Sequence, residues 1–334
     1  MATISKGLIK YGISYFIFKS GIWKRLHKGH LIVLGYHRIL PGKYDILVQP
    51  GMYVTTETFE KHIVFLADNY KIISFDVYLS GNLDPSKKYC IITFDDGWLD
   101  NYLYAYPILK KYNISATIFL TCNYINTNKV FWTDKIAYIL SYLKQNKFKV
   151  ELKTQLNKYI IDFIHANSKK HEREIFDHII NWFKKLPYGY LINIINELEQ
   201  ILNIKEYKTR SFLNWIEIKE MSNNGIYFGS HGISHKPLTQ ISINDCIEEI
   251  KISKMILTDK KINFIPVFSY PYGIYNQKIK YLLSRYGYKA SVTTDPGLNL
   301  LVNQDLFAIK RFNIHEDISK NHAVLCFHTL RTSL

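Results

Sequence analysis

The stretch IITFDDG, residues 91–97, puts two carboxylates, Asp95 and Asp96, at the end of a strand-like apolar run. Where a chain leaves a sheet, neighbouring side chains diverge, and Gly97 permits a sharp turn. One carboxylate can then bind a cation while the other handles a proton. The same letters also suit an ordinary turn or helix cap built on Asp-Gly. A second cluster, GSHGISH, holds His231 and His235. A compact turn brings both imidazoles to one side, and a carboxylate from another strand end completes an N,N,O metal site with open positions. A third stretch, FSYPYG, makes a restricted turn at Pro271-Tyr272-Gly273. Such a turn can fix the Tyr272 N–H toward a developing oxyanion, or simply join a strand to a helix. In VLCFHTL, His328 interrupts an apolar run. An imidazole titrates near neutrality and can protonate a leaving group, although a histidine satisfied within the core is the commoner outcome.

The elements that must position these groups follow an alternating rhythm from residue 31 onward. LIVLGYH and KYCIITFDDG read as buried strands, TETFEKHIVFLADNY and NYLYAYPILKKYN as helices, and ISATIFL as a further strand. Thr55 or Thr56 suits the first helix cap. Parallel strands with helical crossovers are the expected result. Between residues 128 and 209 the rhythm gives way to long amphipathic stretches, read as a helical insertion over one mouth of the fold. Trp132 stands at its entrance as a candidate for holding substrate. Beyond it, FLNWIEIKEMSNNG reads as a helix stopped at Asn224-Gly225, and INDCIEEIKISKMILTDK as a helix with Asn244 as a possible cap. The terminal AIKRFNIH and HAVLCFHTL read as two more strands. Strand-helix units in this number suit a barrel whose strand ends gather functional groups on one face.

The chain of 334 residues carries a net charge of +15, with lysines dispersed along it. That balance fits nucleic acid, anionic lipid or an acidic polymer, but no helix-turn-helix, zinc-finger spacing or Gly/Arg-rich tail supports nucleic acid. The four cysteines, Cys90, Cys122, Cys246 and Cys326, form no CxxC pair and read as reduced buried thiols. Residues 1–30 include a short apolar run flanked by Lys10 and Lys19, too short to span a bilayer. This segment is either an amphipathic helix lying on an anionic membrane face or a helix docked on the domain.

In order along the chain, IITFDDG, GSHGISH, FSYPYG and CFHTL resemble the polysaccharide deacetylase family with the NodB homology domain, carbohydrate esterase family 4. LIVLGYHR is similar to the opening of the group acting on exopolysaccharides and amino sugars. The resemblance covers residues 31–330 apart from the insertion. It implies an α/β fold, a distorted (β/α) barrel of the NodB type, and removal of N- or O-acetyl groups with a divalent metal, most often zinc. It implies Asp95 as general base, Asp96, His231 and His235 as metal ligands, Tyr272 as the backbone donor to the oxyanion, and His328 as general acid. Many members carry an arginine just before the proline-tyrosine turn to hold the base, whereas this chain has Phe268, Ser269 and Tyr270 there. Arg311, in AIKRFNIH, is the candidate to reach Asp95 instead, against a structural ion pair.

The expected activity is hydrolysis of an acetamide on an N-acetylhexosamine unit of a glycan or a lipid-linked sugar, with peripheral contact to an anionic membrane. A phosphatase or metallonuclease would call for two metals and more carboxylates. The same residues also suit an O-acetyl esterase or a non-catalytic carbohydrate-binding protein. The expected location is the cytoplasm or the inner membrane surface, with secretion left open.

Overall fold

A computed structural model describes residues 6–42, 47–49, 51–146, 155–166, 168–204 and 210–330. Its strands are β1 His30–Tyr36, β2 Arg38–Leu40, β3 Tyr53–Thr55, β4 Lys71–Ile72, β5 Tyr89–Phe94, β6 Thr117–Leu120, β7 Tyr227–Ser230, β8 Phe264–Ser269, β9 Ala290–Val292, β10 Asn299–Leu300 and β11 Phe312–Asn313. Its helices open with α1 Lys6–Ser20, α2 Ile22–Leu26, α3 Thr56–Asn69, α4 Phe75–Leu79 and α5 Tyr106–Lys111. They continue with α6 Trp132–Asn146, α7 Gln155–Ile164, α8 Lys169–Phe183, α9 Tyr188–Ile201 and α10 Trp215–Asn223. The last four are α11 Ile243–Asp259, α12 Gln277–Arg285, α13 Glu316–Ser319 and α14 His322–Leu330.

The main sheet runs β10-β1-β5-β6-β7-β8-β9, with β4 on β5 and β11 on β1. From β1 to β9 every pairing is parallel, so helices must cover the faces and the strands are buried throughout. Alternation sorts the side chains. Ile32, Leu34, Cys90, Ile92 and Phe94 pack beneath the outer helices, whereas Leu31, Val33, Tyr89, Ile91, Val267 and Val292 fill the inner face. The sheet is curled but incomplete, a half-barrel. Its seam is spanned by one short segment: Ile309 bridges to Val292 of β9, and Phe312–Asn313 pairs with Leu34–Gly35 of β1.

Register then decides what shares a rim. Tyr36 lies opposite Phe94, and Leu120 opposite Ser230. The next residues, His37, Asp95 and His231, therefore leave the sheet at the same end.

Local chemistry explains where several elements begin. The Thr55 hydroxyl accepts from the Thr58 N–H and caps α3. For α11 the cap is Ser242, whose hydroxyl accepts from the Asp245 N–H, and not Asn244, which lies inside the helix. NYLYAYPILKKYN is helical, but its first turn, Asn101–Ala105, is wound as a π-helix before α5. HAVLCFHTL is also helical and not a strand. It forms α14, which packs against α1. A nine-residue apolar run does not separate the two states by pattern, and the docking of α1 decides it. AIKRFNIH contributes the short β11 and the seam.

Helices α6 to α9 enclose a core of their own, built from Ile139, Leu143, Ile179, Phe183, Ile195 and Leu198. Phe183, Leu186, Tyr188 and Leu191 from this body line the cavity over the strand ends. The four cysteines are buried and unpaired. No helix among the described residues is long and apolar enough to cross a membrane.

Candidate active site

The two carboxylates of IITFDDG part company at the rim of the sheet. Asp95 continues the inner face of β5, whereas Asp96 turns away with a positive φ of 77°. Gly97 follows with φ 79°, and a Cβ there would lie 2.7 Å from Leu120 Cδ2, so the turn needs glycine. Eight described non-glycine residues have positive φ. Four are asparagines, which tolerate it. Of the other four, three are Asp96, His235 and Tyr272, all on the cavity wall. Backbone strain is thus concentrated at the rim.

Asp96 faces the histidine loop. Its Oδ1 lies 3.4 Å from His231 Nε2 and 3.3 Å from His235 Nε2. Its Oδ2 accepts from the Trp98 indole N–H at 2.9 Å. Oδ1 is buried and has no hydrogen-bond donor among the described residues. Burial and the neighbouring Asp95 charge push this carboxyl well above its ordinary range. Burial lowers both histidines, and His235 is lowered further by His231 and His37. His231 Nδ1 donates to the Ser269 carbonyl at 2.7 Å, which leaves Nε2 as a lone pair directed at Asp96. An acceptor oxygen without a donor, beside two imidazole lone pairs, fits a divalent cation held by Asp96, His231 and His235.

The loop between those histidines is pinned from below. Glu249 of α11 accepts from the Ile233 N–H at 2.6 Å, the Ser234 N–H at 3.0 Å and the Ser234 hydroxyl. Gly232, at φ 81°, passes so close that a Cβ would sit 2.9 Å from the Glu249 carboxylate. The sequence reading missed Glu249, and no local pattern flags a glutamate in the middle of a helix.

Asp95 has the opposite surroundings. Arg311 clamps it, with Nη1 donating to Oδ1 at 2.8 Å and Nη2 to Oδ2 at 2.7 Å. The Ser269 hydroxyl adds a bond to Oδ1 at 3.2 Å. Arg311 is itself fixed by the Thr293 carbonyl at 2.9 Å and the Thr93 hydroxyl at 3.3 Å. Burial alone would raise the Asp95 carboxyl, but the Arg311 charge, aided by His231 and the guanidinium bonds, holds it far below the usual carboxylate range. It therefore stays an anion at any working pH.

His37, the residue after β1, brings its Nε2 to 3.9 Å from Asp95 Oδ2 and lines the cavity. Burial pulls its pKa down to about 4, against the Asp95 charge and with the help of Arg311. The sequence reading placed the proton donor at His328. That residue lies on α14, its ring 5.9 Å from that of Phe312, and it is not among the residues lining the cavity. The structure brings His37, not His328, to Asp95. The signal was available, because GYH ends a buried strand at the same rim as FDD.

Tyr272 stands beside the histidine loop, its ring 4.8 Å from that of His235, in left-handed geometry, φ 59° and ψ 5°, within the Pro271–Gly273 turn. Its hydroxyl accepts from the Trp132 indole N–H at 2.9 Å, tying the helical insertion to the turn. The resulting cavity has a volume of about 550 Å³, within the usual range for small-molecule sites. Trp98, Phe131 and Tyr188 supply aromatic wall, and Lys184 and Gln49 stand together at 3.4 Å as polar lining.

A sequence model of the family described as polysaccharide deacetylase matches residues 82–291. The chain belongs to this family. It is accordingly a metal-dependent deacetylase acting on carbohydrate, and Asp96, His231 and His235 are its candidate metal ligands. The matched segment contains both aspartates, both histidines and Tyr272, whereas His37 and Arg311 fall outside it. The Bacillus subtilis (strain 168) protein YxkH is 24% identical over 302 residues, covering 89% of this chain and 76% of that protein. Among solved structures, the deacetylase PplD of Streptococcus pyogenes in complex with acetate has a TM-score of 0.54 at 22% identity, covering 87% of this chain and 95% of that one. A de-N-acetylase from Aggregatibacter actinomycetemcomitans has a TM-score of 0.54 at 15% identity, covering 91% of this chain and all 100% of that one. Both structures share the fold of this deacetylase.

Proposed function

We propose that this deacetylase removes the acetyl group from the nitrogen of an N-acetylhexosamine unit in a glycan polymer or a lipid-linked precursor, releasing acetate. The observation that carries the reading is the contrast across one cavity. Asp96 has a free buried acceptor between two imidazoles, while Asp95 is an ion clamped by Arg311 and faced by His37. Zinc is the metal we assign, from two imidazoles and one carboxylate. Bound there, it would polarise the acetyl carbonyl and make a water acidic near neutral pH.

The protein's own groups handle the protons and the charge. Asp95 is a weak base because Arg311 stabilises its anion, so it suits an acidified water. It accepts one proton from that water as the water attacks the carbonyl carbon. The Tyr272 N–H donates to the oxygen that becomes negative. His37, beside Asp95, passes a proton to the departing nitrogen. A histidine with a pKa near 4 is a strong proton donor once charged, and its Nε2, 3.9 Å from Asp95 Oδ2, has to close on that oxygen or share a water with it to receive the proton. An amide needs this step, because an unprotonated amine leaves poorly. An acetyl ester needs it less, which favours N-acetyl over O-acetyl substrates. The acetate in the PplD structure and the activity in the Aggregatibacter protein's description agree with this reading.

The decisive experiment is mass spectrometry of acetyl loss across defined N- and O-acetylated glycans, with and without a chelator. Chelator-sensitive loss from the N-acetylated set is expected. Loss confined to O-acetyl esters, or undiminished by chelation, would overturn the proposal.

A further inference from the structure

Helix α1 is apolar around most of its circumference, a pattern that belongs in a core or against lipid and not in water. Only one side is used by the fold. Ser14 is buried, Ile17 and Phe18 are partly buried, and the helix packs on α14. Ile13, Tyr15 and Phe16 face outward, with Phe16 67% exposed and the other two close to half exposed. Ile22 of α2 is 46% exposed.

A basic cradle lies beside α2, which follows α1 directly. A shallow cavity of about 420 Å³ is lined by Lys24, Lys28, Lys71, Lys87 and Lys88, with Asp68 as its one carboxylate. Lys87 lies 3.9 Å from Asp84, and among the described residues none of the other four makes a salt bridge. The cradle meets α2 through Trp23, whose ring lies 5.6 Å from Lys24 and 4.9 Å from Lys88, and within α1 Lys19 lies 5.6 Å above the Tyr15 ring. Trp23 in turn stacks on Phe18. An apolar helix face and a cluster of mostly unpaired lysines beside the next helix together complement the acyl-headgroup boundary of an anionic bilayer.

The cradle has a defined place in the fold. Lys71 opens β4, Lys87 and Lys88 precede β5, and Lys28 precedes β1. These are the amino-terminal ends of the strands, whereas His37, Asp95 and His231 follow the carboxyl ends. The seven residues of β1 put roughly 20 Å of sheet between the two rims.

We propose that α1, α2 and the amino-terminal rim of the sheet dock on an anionic phospholipid surface, holding the catalytic cavity away from that surface. A membrane-bound molecule then presents its site to glycan standing clear of the headgroups, not to a sugar attached directly at the lipid beneath it. The docking does not depend on the proposed chemistry.

The test uses the full chain in co-sedimentation with vesicles of phosphatidylcholine alone, and with vesicles holding phosphatidylglycerol as about a third of the lipid. Binding to the anionic vesicles, weakened by salt, is expected. Replacing Lys24, Lys28 and Lys87 with glutamine should lower the partition coefficient on the order of a hundredfold, and Phe16→Ser should lower it as well. Acetate release from a soluble acetylated chitooligosaccharide should be unchanged in these variants, and unchanged when the wild-type protein is vesicle-bound. Equal binding to both vesicle types, unaltered binding by both variants, or a dimer broken by Phe16→Ser without vesicle binding would overturn the docking surface. Slower turnover of the soluble substrate on vesicles would overturn the orientation.

Discussion

Asp95 and Asp96 are consecutive, equally buried and chemically identical, yet they stand in opposite halves of the cavity. On the Arg311 side, Asp95 has both oxygens paired with a guanidinium. On the metal side, Asp96 keeps one oxygen without any donor among the described residues. The first half is electrostatically complete within the protein, and the second is complete only with a cation. Burying a charge is costly unless it is paired, so each carboxylate needs a positive partner. Arg311 supplies one, and the metal-binding histidines leave room for the other.

The largest effects should come from the side that is incomplete. Asp96→Ala and His235→Ala should lose the bound metal and lower acetate release by about a thousandfold or more. Metal analysis of the purified variants checks this, and stoichiometric metal in both would end the ligand assignment. Asp95→Asn should retain metal while turnover drops by roughly two to four orders of magnitude. Loss of metal in that variant would erase the distinction between the two sides.

Arg311→Met should damage stability as well as rate, because it strands a buried carboxylate at a cost of about 3–5 kcal/mol. The pH dependence carries the sign. Asp95 is depressed below its unfolded value of 3.8, so its contribution to stability is fully present above that pH and is lost as pH falls below it. The gap between the melting curves of wild type and Arg311→Met should therefore narrow as pH falls, because without the guanidinium burial raises the Asp95 carboxyl and the variant protonates it, while wild type loses its own contribution below about 4. A gap that widens on acidification would contradict the clamp.

A smaller loss, about a hundredfold in kcat on an amide, is expected for His37→Gln, with a lesser loss on an activated acetyl ester. His328→Gln should leave both rates near wild type. The reverse ranking of those two histidines would restore the donor role to α14. The smallest change belongs to Trp132→Phe. It removes one hydrogen bond to the Tyr272 hydroxyl and should alter kcat/KM by a factor of about ten or less.

Legibility followed the physics of each segment. The buried strands were readable because parallel strands are apolar on both faces, and Asp95 and Asp96 stood out against that background. Helices α6 to α9 showed their amphipathic period directly. HAVLCFHTL misled because β-branched and aromatic residues in a short run fit either state, and its helix is settled by contact with α1, far away in sequence. The general-acid role of His328 came from the likeness of CFHTL to the family pattern, and α14 holds that residue away from the lining of the cavity. His37 was overlooked because a histidine after a strand is unremarkable until the register shows which other strand ends share its rim. Glu249 was invisible for the same reason, since its role lies in three bonds to a loop that precedes its own helix.

Arg311 and Asp95 are separated by 216 residues of chain. During synthesis every metal ligand emerges well before the segment that spans the seam. Until Ile309–Asn313 settles between β9 and β1, the interior holds an unbalanced aspartate and an open edge. Asp95 is paired with Arg311 once that segment is in place. A molecule shortened ahead of residue 309 would keep its metal ligands and lose its orientation of the base. Metal retention and turnover would therefore come apart in a molecule cut ahead of that segment.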